Sequence, residues 1–340
     1  MLENMSWEIR MREEPLRSIH VGTGGRGVWP IDVVVADPNW VPVALVDVNE
    51  DFLQNAREKT GLGKSACFSS LEEAAKAVDA DAALICTPTE THAPFARMGF
   101  EAGVHVLVEK GMTTDFALAK QLVKEGEESG VRFCVAQNYR YQPLQQTIKG
   151  ILDEGTCGAP AIVDLIHHRY RPNPRTLNYL NAMIWDMSCH HFDNLNFWFG
   201  PVKTVAARTF NTPWSRYPYD SGVYAILEYE SGMVCNYGLT HCAQNSSYHL
   251  RMQMEEGTLR AYDVEGIEFQ PTDGGKPETI EPLSLPRSEQ LVLDALREYI
   301  HDGVEPGISG RSNLQTLALC QATCDAASTG AAVRVADLLE

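Results

Sequence analysis

Asp186, His190 and Asp193 fall at i, i+4 and i+7 within Trp185-Asp-Met-Ser-Cys-His-His-Phe-Asp-Asn-Leu-Asn-Phe-Trp198. On a helix that spacing puts three side chains on one face, with His191 pointing roughly 100° away. A neutral imidazole at 190 can take a proton from a substrate hydroxyl. A carboxylate at 186 or 193 can orient it and support the cation that forms. The same spacing also suits a helix-face ion pair or two ligands of a divalent metal. No third ligand is evident, so no metal is expected.

Lys110 follows an apolar run, Val106-Leu-Val-Glu109-Lys110-Gly111. A lysine just past a buried strand is held partly out of water, where it can hydrogen-bond a substrate oxygen and help move its proton. A surface lysine paired with Glu109 is the alternative on local pattern. His167-His168-Arg169-Tyr170 ends another run and reads either as a source of substrate contacts or as a solvated strand end.

A third stretch would hold a phosphate-bearing cofactor. Arg17-Ser-Ile-His-Val leads directly into Gly22-Thr23-Gly24-Gly25-Arg26-Gly27, and a second apolar run ends at Asp47. The order strand, G-x-G-x-x-G, strand, acid is a dinucleotide-binding fingerprint. Gly22 allows the tight turn, Gly24 lets backbone approach a pyrophosphate, and Gly27 lets a helix pack closely on the strand. The helix N-terminus offers N–H groups to the phosphates. Asp47 can accept from a ribose diol and would repel a 2′-phosphate, so NAD is expected over NADP. Thr87, Pro88 and His92, at the end of a further strand, are expected at the same edge, as is Glu109; a helix entrance fixed by Thr and Pro explains the first two equally well.

These groups need a scaffold, and the alternation along residues 17–140 supplies one. Apolar runs near Ile19–Gly22, Val43–Asp47, Ala83–Cys86, His105–Glu109 and Arg132–Gln137 are separated by helical patterns such as Asp51–Lys59, His92–Ala102 and Asp115–Ser129. That texture predicts an α/β fold: a Rossmann-type, doubly wound parallel sheet. From 141 to 340 it changes to a helix over Pro143–Glu154, then longer β-type runs at Ala161–Tyr170, Lys203–Asn211, Val223–Glu230, Met233–Cys242, Tyr248–Met254, Thr258–Asp263 and Ile267–Gln270. Helices follow at Glu289–His301 and Ser312–Ser328. An α+β domain with an open, largely antiparallel sheet is expected, with a surface loop over Pro271–Pro286. Residues 1–16 read as a leader or flexible arm.

The chain has 340 residues and a net charge of −17, which argues against nucleic acid and anionic membranes as partners. No stretch has the apolar length of a signal sequence or membrane span. The nine cysteines are odd in number and show no C-x-x-C pairing. Cys86, Cys134 and Cys235 lie in apolar runs, and Cys320 and Cys324 read as helix-packing residues. A reducing compartment, the cytoplasm, is the expectation.

Taken in order, Gly22–Gly27, Asp47, Thr87-Pro88 with His92, Glu109-Lys110, Asn138-Tyr139-Arg140-Tyr141, Asp186…His190…Asp193 and the closing Ala326–Val333 resemble the glucose–fructose oxidoreductase / inositol dehydrogenase / rhizopine catabolism family (Gfo/Idh/MocA). The resemblance spans about Ile19 to Val335. It implies a tightly held nicotinamide cofactor, a sugar or polyol substrate between two domains, and a homodimer or homotetramer formed through the open sheet. It maps the family's lysine onto Lys110 and its Asp-x-x-x-His pair onto Asp186 and His190. Gly111 stands where the family usually has proline, and Ser188 where glycine is frequent. Tyr139, Arg140, Tyr170, Trp185 and Asp193 are expected to face the sugar. The expected activity is hydride exchange between nicotinamide and a sugar, polyol or sugar derivative. A redox-neutral glycoside cleavage at the same site and a non-catalytic NAD- and sugar-binding sensor are the alternatives.

Overall fold

The computed structural model describes residues 14–174, 177–262 and 266–340. Most of the expected N-terminal arm, and Asp263 at the end of one expected strand, therefore lie outside the described residues. The chain forms two compact units. One takes the described residues up to Glu109 with Leu122–Cys134 and Leu296–Val304; the other takes Lys110–Gln121, Val135–Ala295 and Glu305–Glu340.

The first sheet has six strands: β1 (Leu16–Val21), β2 (Trp40–Val46), β3 (Cys67–Phe68), β4 (Ala82–Ile85), β5 (His105–Val108) and β6 (Phe133–Val135), in the order β3-β2-β1-β4-β5-β6. The pairs β1–β2, β1–β4, β2–β3 and β4–β5 are parallel. Consecutive residues such as Ala82–Ile85 are all buried, as strands covered on both faces require. The intervening helices are α1 (Val28–Ala36), α2 (Glu50–Thr60), α3 (Leu71–Ala77), α4 (His92–Glu101) and α5 (Phe116–Ser129). The Asn49 side chain starts α2 by accepting from the N–H groups of Asp51 and Phe52. Leu53 and Ala56 of α2 then pack with Ile31 and Leu45, so the helix places the β2 end that carries Asp47. The strand order reverses between β1 and β4. In such sheets ligands bind beyond the carboxyl ends of the strands at that point, and the glycine-rich turn follows β1 there.

The second unit contains α6 (Pro143–Glu154), β7 (Pro160–Tyr170), a turn of π-helix (Ile184–Ser188) leading into α7 (Cys189–Phe199), then β8 (Val202–Phe210), β9 (Gly222–Tyr229), β10 (Val234–Thr240), β11 (Cys242–Met254), β12 (Gly257–Tyr262), β13 (Gly266–Pro271) and β14 (Glu278–Ile280). The remaining elements are α8 (Ser288–Asp302), α9 (Gly310–Thr329) and β15 (Val333–Arg334). Nine strands form one sheet, β14-β13-β12-β11-β7-β10-β9-β8-β15. It is mostly antiparallel, but central β7 runs parallel to β10 and antiparallel to β11. A hairpin joins β9 to β10.

Two details depart from the sequence reading. Strand β11 begins at Cys242, its pairing with β7 shifting register between Cys242 and Ser247; the polar residues there hide the strand from an apolar pattern. The expected loop after Pro271 contains β14, a short edge strand on β13. Along β7, Val163 and Leu165 are fully buried while Ile162 is exposed. The two-residue period therefore gives His167 and Arg169 the inward parity, and His168 and Tyr170 the outward one.

Candidate active site

The first unit builds a cradle from the glycine turn. Gly22 has φ +79°, and a Cβ there would lie 2.9 Å from the Cys86 carbonyl group. A Cβ on Gly27 would lie 1.8 Å from the Gly22 oxygen, so only glycine lets α1 start this close to β1. A Cβ on Gly24 would meet the Phe52 ring at 2.3 Å, whereas Gly25 faces open space. Asp47 closes the turn from β2: its Oδ2 accepts from the Thr23 N–H at 2.7 Å and hydroxyl at 3.2 Å, and its Oδ1 accepts from the Asn49 N–H at 2.9 Å. Oδ1, with one bond, keeps lone-pair capacity for a ribose hydroxyl. Glycines that a Cβ would block, N–H groups at a helix entrance and a carboxylate at the neighbouring strand end fit a dinucleotide.

Two further strand ends brace the cradle. Buried Glu109 accepts from Arg26 Nε at 2.9 Å and from Trp29 Nε1 at 3.1 Å, and lies 2.7 Å from Arg26 Nη2. It thereby ties β5 to the glycine turn. After β4, buried His92 places Nε2 2.8 Å from the Thr87 carbonyl oxygen, and the Thr91 hydroxyl donates to Thr87 Oγ1 at 2.8 Å. Pro88 precedes the short turn that enters α4.

The second unit gathers the proton-handling groups. Lys110 Nζ donates to Asp186 Oδ1 at 2.9 Å and to the Asp186 carbonyl at 2.7 Å; its partner is Asp186, where the local sequence offers Glu109. The Lys110–Gly111 peptide bond is cis. Burial works to raise the Asp186 carboxyl, but the charge and hydrogen bond of Lys110 outweigh it and hold the group below its ordinary value. Asp186 lies in the π-helical turn, whose wider winding changes its phase relative to α7. Buried His190 stacks on Tyr139, ring centroids 3.9 Å apart and planes 14° from parallel.

Asp193 and Arg140 meet each other. Arg140 donates through Nε and Nη2 to the two Asp193 oxygens at 2.8 and 2.6 Å, and Thr316 adds a 3.2 Å hydroxyl bond. Asp193 is 1% exposed. Burial opposes the Arg140 charge, yet Asp193 holds the guanidinium above its ordinary value. The pair joins the turn bearing Tyr139 to the helix bearing His190. Trp185 is buried. Tyr170 is 58% exposed on the outward parity of β7. The structure thus pairs Lys110 with Asp186 and stacks His190 on Tyr139 beside the Arg140–Asp193 brace, with Tyr170 on the outward parity of β7.

A buried chain of hydrogen bonds backs this cluster, and nothing in the sequence pattern points to it. Ser188 donates to the Met183 carbonyl at 3.2 Å, and Tyr237 donates to Ser188 at 2.7 Å. His191 Nδ1 lies 2.8 Å from the Tyr237 oxygen, and His167 Nδ1 lies 3.1 Å from His191 Nε2. Tyr237 has committed its proton, so His191 donates through Nδ1. Burial, with the charges of His167 and Arg169, pushes His191 far below its ordinary value. It stays neutral, and its Nε2 accepts from His167. Alternation along α7 signals that residues 190 and 191 face differently; partners on β7 and β10 are too distant in sequence to signal anything.

Among the described residues no group of three or more His, Cys, Asp or Glu is arranged to hold a metal ion, and no helix is long and apolar enough to cross a membrane. None of the nine cysteines is in a disulfide.

Two family models match the chain. One is described as an oxidoreductase family with an NAD-binding Rossmann fold, over residues 16–137, and the other as the GFO/IDH/MocA C-terminal domain, over residues 145–260. D-Apiose dehydrogenase of Paraburkholderia graminis is 27% identical over 319 residues, covering 87% of this chain and 83% of the relative. Inositol 2-dehydrogenase 4 of Saccharopolyspora erythraea is 25% identical over 327 residues, covering 93% and 95%. Among solved structures, an oxidoreductase from Agrobacterium radiobacter in complex with NAD+, L-tartaric acid and magnesium superposes with a TM-score of 0.85 at 19% identity, covering 95% of this chain and 99% of that one.

Proposed function

The chain belongs to the Gfo/Idh/MocA oxidoreductases, and on that premise we propose that it is an NAD-preferring dehydrogenase of a sugar, polyol or sugar derivative. The observation that carries the reading is the Lys110–Asp186 pair, 2.9 Å long, in the same unit as a buried His190 stacked on Tyr139. Relatives named as dehydrogenases of D-apiose and inositol support the substrate class.

Bound NAD supplies the hydride acceptor; the protein supplies orientation and proton handling. Lys110 donates a hydrogen bond to the substrate oxygen that loses its proton, and Asp186 holds the ammonium in place for that contact. His190 takes the proton, its ring plane fixed by Tyr139. Arg140 and Asp193 act at one remove, keeping Tyr139 over His190. In the first unit Asp47 selects the unphosphorylated adenosine ribose, and the glycine turn with Arg26–Glu109, Thr87, Pro88 and His92 shapes the cofactor edge.

The outward face of the second sheet carries exposed Ile162, Tyr224, Ile226 and Tyr262. Such a patch supports a homodimer or homotetramer, measurable by light scattering. Nine free cysteines support the cytoplasm as the working compartment.

The test is NADH formation by the purified chain against sugars, polyols, sugar acids and glycosides, with NAD and NADP in parallel. Substrate-dependent NADH in equal amount to oxidised product is the expected result. Product without net NADH would replace this reading with redox-neutral glycoside cleavage. Binding of both ligands without any turnover would replace it with a sensor.

A further inference from the structure

His167, Arg169 and Arg171 share the inward parity of β7. Arg171 lies one step past the strand, yet its N–H still bonds the His241 carbonyl at 2.9 Å, so the alternation continues through it. Arg169 reaches the turn that carries Asp186: its Nη1 lies 3.0 Å from the Met187 sulfur. A thioether is a weak acceptor. Among the described residues this is the one hydrogen bond of the Arg169 side chain, and the Arg171 guanidinium makes none.

Charge adds to this. Burial and the charge of Arg171 push the Arg169 guanidinium down from its ordinary value, and the phenol of Tyr139 and the carboxylate of Asp186 act on it in the other direction. Asp186 is already held by Lys110 and also feels Arg171. Lys110 bonds the Asp186 carboxylate, and the charges of Arg169 and Arg171 also act on it, in a chain whose net charge is −17. One carboxylate leaves most of that positive charge uncompensated, which is unfavourable for half-buried guanidinium groups. Its planar fork is shaped to hold a carboxylate or phosphate through paired hydrogen bonds.

We infer that Arg169 and Arg171 form an oxyanion subsite beside the Lys110–Asp186 pair, so that the substrate is a polyol or sugar bearing a carboxylate or phosphate group. The polyol part rests on the dehydrogenase reading above; the charge rests on the arginines alone. The occupant touches both guanidinium groups and leaves Lys110 to the reacting oxygen.

The experiment uses the full chain with NAD and sets of probes: D-glucose with D-gluconate, D-glucuronate and D-glucose 6-phosphate, and matching sets built on xylose and inositol. Binding is read by calorimetry and turnover by NADH. In at least one set the charged member is expected to bind about 10- to 100-fold more tightly than its neutral parent, with the advantage shrinking as salt is raised. Arg169→Gln and Arg171→Gln each reduce that advantage, the charged member losing several-fold more affinity than its neutral parent. A gain confined to acids identifies a sugar acid, and one confined to esters a sugar phosphate; each supports the inference.

Equal binding of charged and neutral members, or an advantage that survives both substitutions together, overturns it. So does a loss of NAD affinity in the variants with the charge preference intact, which would assign the arginines to the cofactor. Should the glutamine variants fail to fold, Arg169→Lys and the salt dependence of the wild-type chain decide between the same outcomes. NADH from neutral sugars without charge preference sinks the subsite and leaves the dehydrogenase reading standing; arginine-dependent anion binding without NADH does the reverse.

Discussion

Lys110 is gripped twice by one residue, its ammonium 2.9 Å from the Asp186 carboxylate and 2.7 Å from the Asp186 backbone carbonyl. The double contact fixes the end of a long flexible side chain and ties its position to the π-helical turn rather than to its own strand.

The pair makes acid stability depend on Asp186. Burial raises the carboxyl, but Lys110 outweighs it and holds the group below 3.8. A lowered folded-state value gives stability that is fully present above the unfolded value and is lost as pH falls through the folded one. Asp186→Asn is expected to be less stable than wild type at neutral pH, with the gap closing below about pH 4. Thermal melts from pH 2 to 7 check it; a gap independent of pH would contradict it.

Buried histidines should shape a milder acid limb. Burial pushes His20 and His241 to about 3 and drives His191 far below its ordinary value. Each remains neutral in the fold while the unfolded chain takes up protons near pH 6.5, so stability is expected to fall as pH drops below that value. Nitrogen-15 spectra are expected to show His191 as the Nδ1–H tautomer. Tyr237→Phe removes its acceptor and the donor to Ser188, at a cost of about 1–3 kcal/mol.

The Arg140–Asp193 brace is structural with a functional reach. Removing one partner of a buried ion pair costs about 3–5 kcal/mol, so Asp193→Asn is expected to lower the melting temperature markedly. If the folded fraction turns over as fast as wild type, the brace does not position Tyr139 and His190.

Cofactor choice should turn on Asp47. Replacing it with Ser removes the charge that opposes a 2′-phosphate and weakens the bond closing the Thr23 turn. The NAD-to-NADP ratio of kcat/KM is expected to fall by about 10-fold or more, roughly 1.4 kcal/mol. An unchanged ratio would place the discrimination elsewhere.

Much of this is legible in the chain. The glycine spacing reads directly because Gly27 meets the Gly22 oxygen and Gly22 needs positive φ, requirements set within a few residues. The strand–helix alternation reads for the same local reason. The partners of the polar groups do not. Lys110 finds Asp186 from 76 residues away, and Glu109 finds Arg26 from 83 residues away. The π-helical turn that carries Asp186 has no signal in the i, i+4 spacing of Asp186 and His190. At the end of β7 the sequence draws attention to Tyr170, but strand parity turns Arg169 inward, and parity is fixed by a register visible only once the sheet is formed.

The most direct test is a single-turnover reduction of bound NAD by substrate in wild type, Lys110→Met and His190→Ala, with NAD affinity measured alongside. Both variants are expected to bind NAD as wild type does and to lose about 100- to 10,000-fold in the reduction rate. Reduction at the wild-type rate in either one would contradict the role assigned to that residue, and in both would move the chemistry away from the Lys110–Asp186–His190 cluster.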